Sequence, residues 1–281
     1  KTKLDAMYKR TGKRPNILIF VVDDLGYGDA GAYGGGESLG APTPHIDRLA
    51  REGLKLTSTY AQPSCTPTRA ALNTGRLPVR SGLTSPKLLN DNADISSELL
   101  AAKILSDAGY RTALSGKWHL GEKDGSRPWQ VGFDEFTGFL GVANAYQEEH
   151  PSSTDVANDP ELLAQLRAMP GSRDLWSATK ERGGKSLGQI NWSNDATLDQ
   201  KFATFSEDFI RRSVKSGKPF YLSHNFTKVH YFNQPSKAFV GRSATKDVYR
   251  DSVMEVDDIV GRLTKLLEDL KIADNTIVFF T

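Results

Sequence analysis

An α/β fold with a mostly parallel central sheet sandwiched by helices is what this sequence of 281 residues predicts, on three observations. Apolar runs of strand length, "NILIFVV" above all, read as strands buried on both faces. Segments with apolar residues at helical spacing alternate with those runs, the pattern of helices covering a parallel sheet. Side chains capable of chemistry follow the strands, and in such sheets sites form in the loops beyond the carboxyl ends. The length suits one large domain or two small ones.

The first strand is residues 16–22, continuous, apolar and rich in β-branched residues. "TPHIDRLAREG" (43–53) predicts a helix: Thr43 can cap it, Pro44 suits its first turn, Ile46, Leu49 and Ala50 share a face, and Gly53 stops it. "LKLTSTY" (54–60) is read as a strand, and "TPTRAALNTG" (66–75) as a short helix ended near Gly75. Residues 97–108 form an apolar-faced helix ended by Gly109, and "TALSG" (112–116) a short strand. In "LDQKFATFSEDFIRRSV", Leu198, Phe202, Phe205 and Phe209 recur at spacings of four, three and four, which predicts a helix. "PFYLSHNF" (219–226) is a strand. Residues 247–270 are a long helix with Val253, Val256, Val260, Leu263, Leu267 and Leu270 on one side, and "NTIVFFT" (275–281) is a final strand. Residues 141–195 break the pattern. They are rich in Gly, Ser, Asn and charge, only "ELLAQLRAM" (161–169) is clearly helical, and the segment reads as an insertion or a lid.

Composition excludes several classes. A formal net charge of +2 gives no bulk drive toward nucleic acid or membrane. No apolar run approaches the ~20 residues of a membrane span. A single cysteine excludes an internal disulfide framework and a cysteine-rich metal site. The opening "KTKLDAMYKRTGKRPN" lacks the apolar core of a signal peptide.

Asp23 and Asp24 close the first strand. Adjacent carboxylates there repel unless a cation neutralises them, and a hard cation such as Ca²⁺ or Mg²⁺ prefers oxygen ligands. Taken on their own, they are better accounted for as a solvated strand end or a helix cap. Cys65 stands where a helix begins, a place that stabilises negative charge, with Arg69 one turn along the same face. The bland reading of a lone cysteine is a small buried hydrophobe, and no cysteine-protease context surrounds it. Lys117 and His119 follow the strand 112–116, on one side of an extended segment, and His230 follows 219–226.

Cys65-Thr66-Pro67-Thr68-Arg69, followed by a short helix and "TGR", resembles the Cys-x-Pro-x-Arg signature of the type I, formylglycine-dependent, arylsulfatase-like sulfatases of the alkaline-phosphatase-like superfamily. "RPNILIFVVDDLGYGDAGAYG", "TPHIDRLAREG", "GYRTALSGKWHLG", "PWQVGFDEF", "KPFYLSHNFTKVHYFNQP" and the stretch from "YRDSVMEVDD" to Thr281 resemble the same family, so the likeness covers nearly the whole chain. The resemblance implies hydrolysis of sulfate esters, aryl sulfates or related, through a Cα-formylglycine hydrate made from Cys65 by a maturation enzyme. It implies Asp23, Asp24 and the position-65 hydroxyl as ligands of Ca²⁺ or Mg²⁺. Arg69 would hold the diol, Lys117 would contact diol and sulfate, His119 would assist removal of the second hydroxyl's proton, and His230 would contact the sulfate and protonate the leaving group. His224, Lys228, Asp257 and Asp258 are expected to be structural. The family continues after the final strand into an Asp-Asn pair of metal ligands, a catalytic lysine and a small C-terminal domain. Residues 1–281 are therefore expected to be a truncated N-terminal catalytic domain. Family habit implies a periplasmic or secreted location. The rival expectations are a phosphatase or phosphonate/phosphodiester hydrolase of the same superfamily, and an inactive fragment.

Overall fold

Among the described residues, seven strands join into one sheet in the order β5-β4-β3-β2-β6-β1-β7. The computed structural model describes residues 14–86, 93–141 and 174–281, with the isolated residues 6, 8, 9, 12 and 161. The strands are β1 (Asn16–Val21), β2 (Arg111–Lys117), β3 (Glu135–Phe139), β4 (Asp174–Thr179), β5 (Gly183–Gln189), β6 (Phe220–Asn225) and β7 (Thr276–Phe280). From β3 to β7 all neighbours run parallel, and β4 and β5 add an antiparallel hairpin at one edge.

β1 shows why the sheet has two covered faces. Its side chains alternate: Leu18 and Phe20 enter one buried cluster, and Ile19 and Val21 enter another. The first cluster is covered by α4 (Leu198–Ser216) and α5 (Val248–Asp269), through Ala203, Phe209 and Ile210 on one helix and Val253, Val256, Val260, Leu263 and Leu267 on the other. The second is covered through Ala70 of α2 (Cys65–Thr74) and Ala102 of α3 (Ala101–Asp107). Phe205 of the expected apolar stripe is only half-buried.

Three expectations change. Residues 54–60 form no strand: all seven are exposed, so their alternating apolar residues have no core to face. The helix expected over 97–108 starts only at Ala101: Asp94 Oδ1 accepts from the Ser96 amide at 2.8 Å, and Leu100 keeps extended backbone. Thr43 stands at the N-cap of α1 (Pro44–Glu52), but its hydroxyl accepts from the Gly31 amide and donates to Asp47. The free amides of α1 are capped instead from α5. Asp257 Oδ1 accepts from His45 and Ile46 at 3.0 and 2.9 Å, a contact of the kind expected for Asp257. Of the expected insertion, the helix over 161–169 lies outside the described residues apart from Glu161. Residues 174–189 form the β4–β5 hairpin, and Trp192–Asp195 one helical turn.

Candidate active site

Because β1, β2 and β6 are parallel, their carboxyl ends share one edge of the sheet, and the loops there bring the expected residues together. Asp23 follows β1 and is 3% exposed. Lys117, the last residue of β2, is fully buried and donates from Nζ to Asp23 Oδ2 at 2.6 Å. Arg69, on the second turn of α2 and also buried, sets Nη2 3.3 Å from Asp23 Oδ1 and donates from Nη1 to the Lys117 carbonyl at 2.8 Å. Each carboxylate oxygen thus faces its own cation. Burial pushes the Asp23 carboxyl up, but Lys117, Arg69 and His230 together hold it well below the usual carboxylate range.

The local chain conformation makes this meeting possible. Gly116 has φ +102°, and a Cβ there would lie 1.6 Å from the Asn225 carbonyl oxygen, so only glycine lets β2 end this close to β6. Asn225 uses that closeness: its Nδ2 donates to the Lys117 carbonyl at 2.8 Å, and its Oδ1 accepts from Ser223. Sequence reasoning overlooked Asn225, although a run of polar residues, Ser223-His224-Asn225, at the end of a buried strand was a usable signal. Trp118 turns into the core and donates from its indole to the carbonyls of Gly121 and Ser126. His119 follows in left-handed backbone, φ +59°, and is buried. Its amide donates to Leu140, and its carbonyl accepts from Thr66 Oγ1 at 3.3 Å, which ties the end of β2 to the start of α2.

Cys65 is the first residue of α2, half-buried and a free thiol. Ser64 takes the cap position without a side-chain cap bond, so the helix offers amides at the point where the Cys65 side chain emerges. Arg69 Nε, though buried, has no partner among the described residues.

His230 sits in the loop after β6. The Asp23 amide donates to the Lys228 carbonyl at 3.1 Å, and the Val229 amide returns a bond to the Asp23 carbonyl at 2.8 Å. His230 Nδ1 is 2.6 Å from the Tyr231 carbonyl, which can only accept, so Nδ1 carries the proton and Nε2 is left for chemistry. Nε2 lies 3.7 Å from Asp24 Oδ2. Burial first, and then Lys117, push the imidazole below its ordinary pKa, against the pull of Asp23. Asp24 has left-handed backbone, φ +62°, and its side chain is 60% exposed.

His224 is where a structural histidine belongs: fully buried beside Phe20 and Phe226, with Nδ1 2.8 Å from Ser206 Oγ, and pushed down to about 4 by burial. Lys228 points away from the site, toward Asp199 and Glu255.

For a hard cation the donor chemistry is right but the set is small. Asp23 and Asp24 offer carboxylate oxygens, whereas Ca²⁺ takes 6–8 oxygen ligands. Among the described residues no group of three or more His, Cys, Asp or Glu could hold a metal ion. The expected trio of Asp23, Asp24 and Cys65 is therefore not gathered into such a group: Asp23 is engaged by Lys117 and Arg69, and Asp24 leans toward solvent.

Fixed cations, a helix N-terminus and two histidines gather at the carboxyl edge of a parallel sheet, on an alkaline-phosphatase-like architecture. The family model described as Sulfatase matches residues 15–281. The chain belongs to the sulfatase family. It is 36% identical over 278 residues to N-acetylgalactosamine-6-sulfatase of Sus scrofa, covering 95% of this chain and 49% of that protein. It is 35% identical over 280 residues to arylsulfatase A of Bos taurus, covering 95% and 51%. The crystal structure of the PsFucS1 sulfatase from Pseudoalteromonas sp. superposes with a TM-score of 0.92 at 42% identity, covering 99% of this chain and 57% of that one. The chain thus spans about half the length of the curated relatives it matches. Among the described residues no helix is long and apolar enough to cross a membrane.

Proposed function

We propose that this chain supplies catalytic machinery for hydrolysing sulfate esters to alcohol or phenol and sulfate. The observation that carries the reading is the buried Asp23–Lys117–Arg69 cluster beside the helix start that presents Cys65. A sulfate ester is an anion and a weak electrophile, so its charge must be met by fixed donors, its nucleophile activated and its leaving oxygen protonated.

Converted to Cα-formylglycine by a maturation enzyme, position 65 would supply a hydrated aldehyde as oxygen nucleophile; Asp23 and Asp24 would give oxygen ligands to Ca²⁺ or Mg²⁺, which would supply positive charge beside the sulfate. Arg69, fixed by Asp23 and the Lys117 carbonyl, offsets negative charge at position 65. Lys117 donates to a sulfate oxygen. His119 accepts a proton at position 65. His230 delivers a proton from Nε2 to the leaving oxygen. Burial and Lys117 lower its pKa, and an anionic substrate beside it would favour the protonated form that donates. In this reading residues 1–281 form the N-terminal catalytic part, and a periplasmic or secreted location follows from the habit of the family.

The test combines mass and turnover. Intact mass should fall by about 18 Da on conversion of the thiol to the aldehyde. Cys65→Ala should abolish hydrolysis of an aryl sulfate while leaving the circular dichroism spectrum unchanged. Retained sulfate turnover in that variant refutes the assignment. Faster turnover of the matching phosphate monoester, diester or phosphonate by the unaltered protein would instead favour a phosphoryl substrate.

A further inference from the structure

Behind the site lies a cluster of buried charges that the reaction does not use. Lys228 is 3% exposed. Its ammonium sits 3.2 Å from Asp199 Oδ2 on α4 and 3.4 Å from Glu255 Oε2 on α5, and both carboxylates are fully buried. Burial opposes the charge on Lys228, but Asp199, Glu255 and Asp195 together hold its pKa above the ordinary value. A buried ion cluster of this kind is seldom more stabilising than an apolar one of the same volume, so stability does not explain it.

Its connections do. Asp199 also accepts from the Thr227 amide at 2.9 Å and from the Thr227 hydroxyl. The same Glu255 oxygen that faces Lys228 accepts from the Ser236 amide at 2.8 Å. Glu255 therefore holds both ends of the segment 228–236, which carries His230. On its other side, the backbone of that segment exchanges two hydrogen bonds with Asp23.

We propose that Lys228, clamped between Asp199 and Glu255, is a positioning residue that fixes the His230 loop against Asp23. It touches neither substrate nor cofactor and acts through His230. The role assigned to His230 rests on the sulfate-ester reading. The clamp itself rests on the contacts.

The experiment is a double-mutant cycle on the full chain, with substituted phenyl sulfates as probes. Displacing a catalytic group by about 1 Å costs on the order of 10²-fold in rate, so Lys228→Met should lower kcat/KM by about that factor. It should also steepen the dependence of rate on leaving-group pKa, as poorer protonation leaves more charge on the departing oxygen. In a His230→Ala background the same change should cost less than about threefold, because the two residues act as a unit. Lys228→Arg, which keeps the charge, should restore part of the loss. Equal losses in both backgrounds overturn the proposal.

Thr227→Val repeats the cycle without unpairing a charge, should Lys228→Met not fold. A several-fold loss confined to the background that retains His230 supports the clamp, and a loss independent of His230 overturns it. Amide exchange at Asp23 and Val229, measured without substrate, should quicken by about tenfold or more in these variants if the loop is loosened. Unchanged exchange overturns the clamp whatever the activity. Faster exchange in a protein that hydrolyses no sulfate ester supports the clamp and removes the sulfate reading instead.

Discussion

Lys117→Met offers a quantitative test of the Asp23 cluster. The substitution keeps the length of the side chain and deletes the ammonium 2.6 Å from Asp23 Oδ2, leaving a carboxylate that is 3% exposed with Arg69 alone at 3.3 Å. Removing one partner of a buried pair costs about 3–5 kcal/mol. Arg69 keeps part of the compensation, so the lower end, about 3 kcal/mol, is expected. With a urea m-value of about 3 kcal/mol/M, that shifts the unfolding midpoint down by about 1 M. The measurement is urea denaturation at pH 7 in the presence of a chelator. The sign with pH follows from Asp23, whose folded pKa is depressed. Its stabilisation is present above the ordinary value of 3.8 and is lost as pH falls below it toward the folded value. The gap between the two proteins should therefore narrow in acid, because protonated Asp23 needs no partner. Lys117→Met combined with Asp23→Asn should recover most of the midpoint at pH 7. A single variant as stable as the parent, or a double variant no better than the single, refutes the view that Asp23 is a buried anion held by Lys117.

Two further outcomes are expected. Gly116→Ala would place a Cβ 1.6 Å from the Asn225 carbonyl oxygen in left-handed backbone. The backbone strain alone costs about 1–2 kcal/mol, and separating β2 from β6 should also break the Asn225–Lys117 bond, so both stability and turnover should fall. A variant with the parent's melting temperature and kcat would contradict this. Asp257 is pushed up to about 6 by burial, against the amides of Ile46 and His45 that favour its charge. A raised folded pKa gives stability that is complete below the ordinary 3.8 and is lost as pH rises through about 6. Relative to Asp257→Asn, the parent should lose urea resistance between pH 4 and 7. A parallel pH dependence of the two proteins would show that Asp257 titrates in its ordinary range.

Much of the architecture was legible because periodicity is local. The apolar run of β1, the stripes of α4 and α5 and the glycine after α2 each announce their element within a few residues. The elements that went unread are those whose stability is not local. β3 is five residues long and contains a glycine, and β4 and β5 form an edge hairpin, with β5 almost wholly exposed. Their pairing energy comes from neighbours, and β5, Gly-Gly-Lys-Ser-Leu-Gly-Gln, carries little strand preference of its own. Residues 54–60 err the other way: they have strand-like alternation, but all seven are exposed, so neither face of a strand would be buried.

The site divides along the same line. Local spacing placed Cys65 and Arg69 on one helix start, and the rule for parallel sheets put Asp23 and Asp24, Lys117 and His119, and His230, each after its strand, on one edge. Which charge meets which is a matter of strand order. Lys117 reaches Asp23 across 94 positions because β6 stands between β1 and β2 and Gly116 lets β2 end close against it. Asp257 caps a helix 211 positions away, and Glu255 grips both ends of the His230 loop. A hydrogen bond or ion pair depends on distances of a few ångströms between groups remote in sequence. Those distances exist only once the crossovers have set the strands side by side, whereas the tendency of each segment to be strand or helix is already present in its own residues.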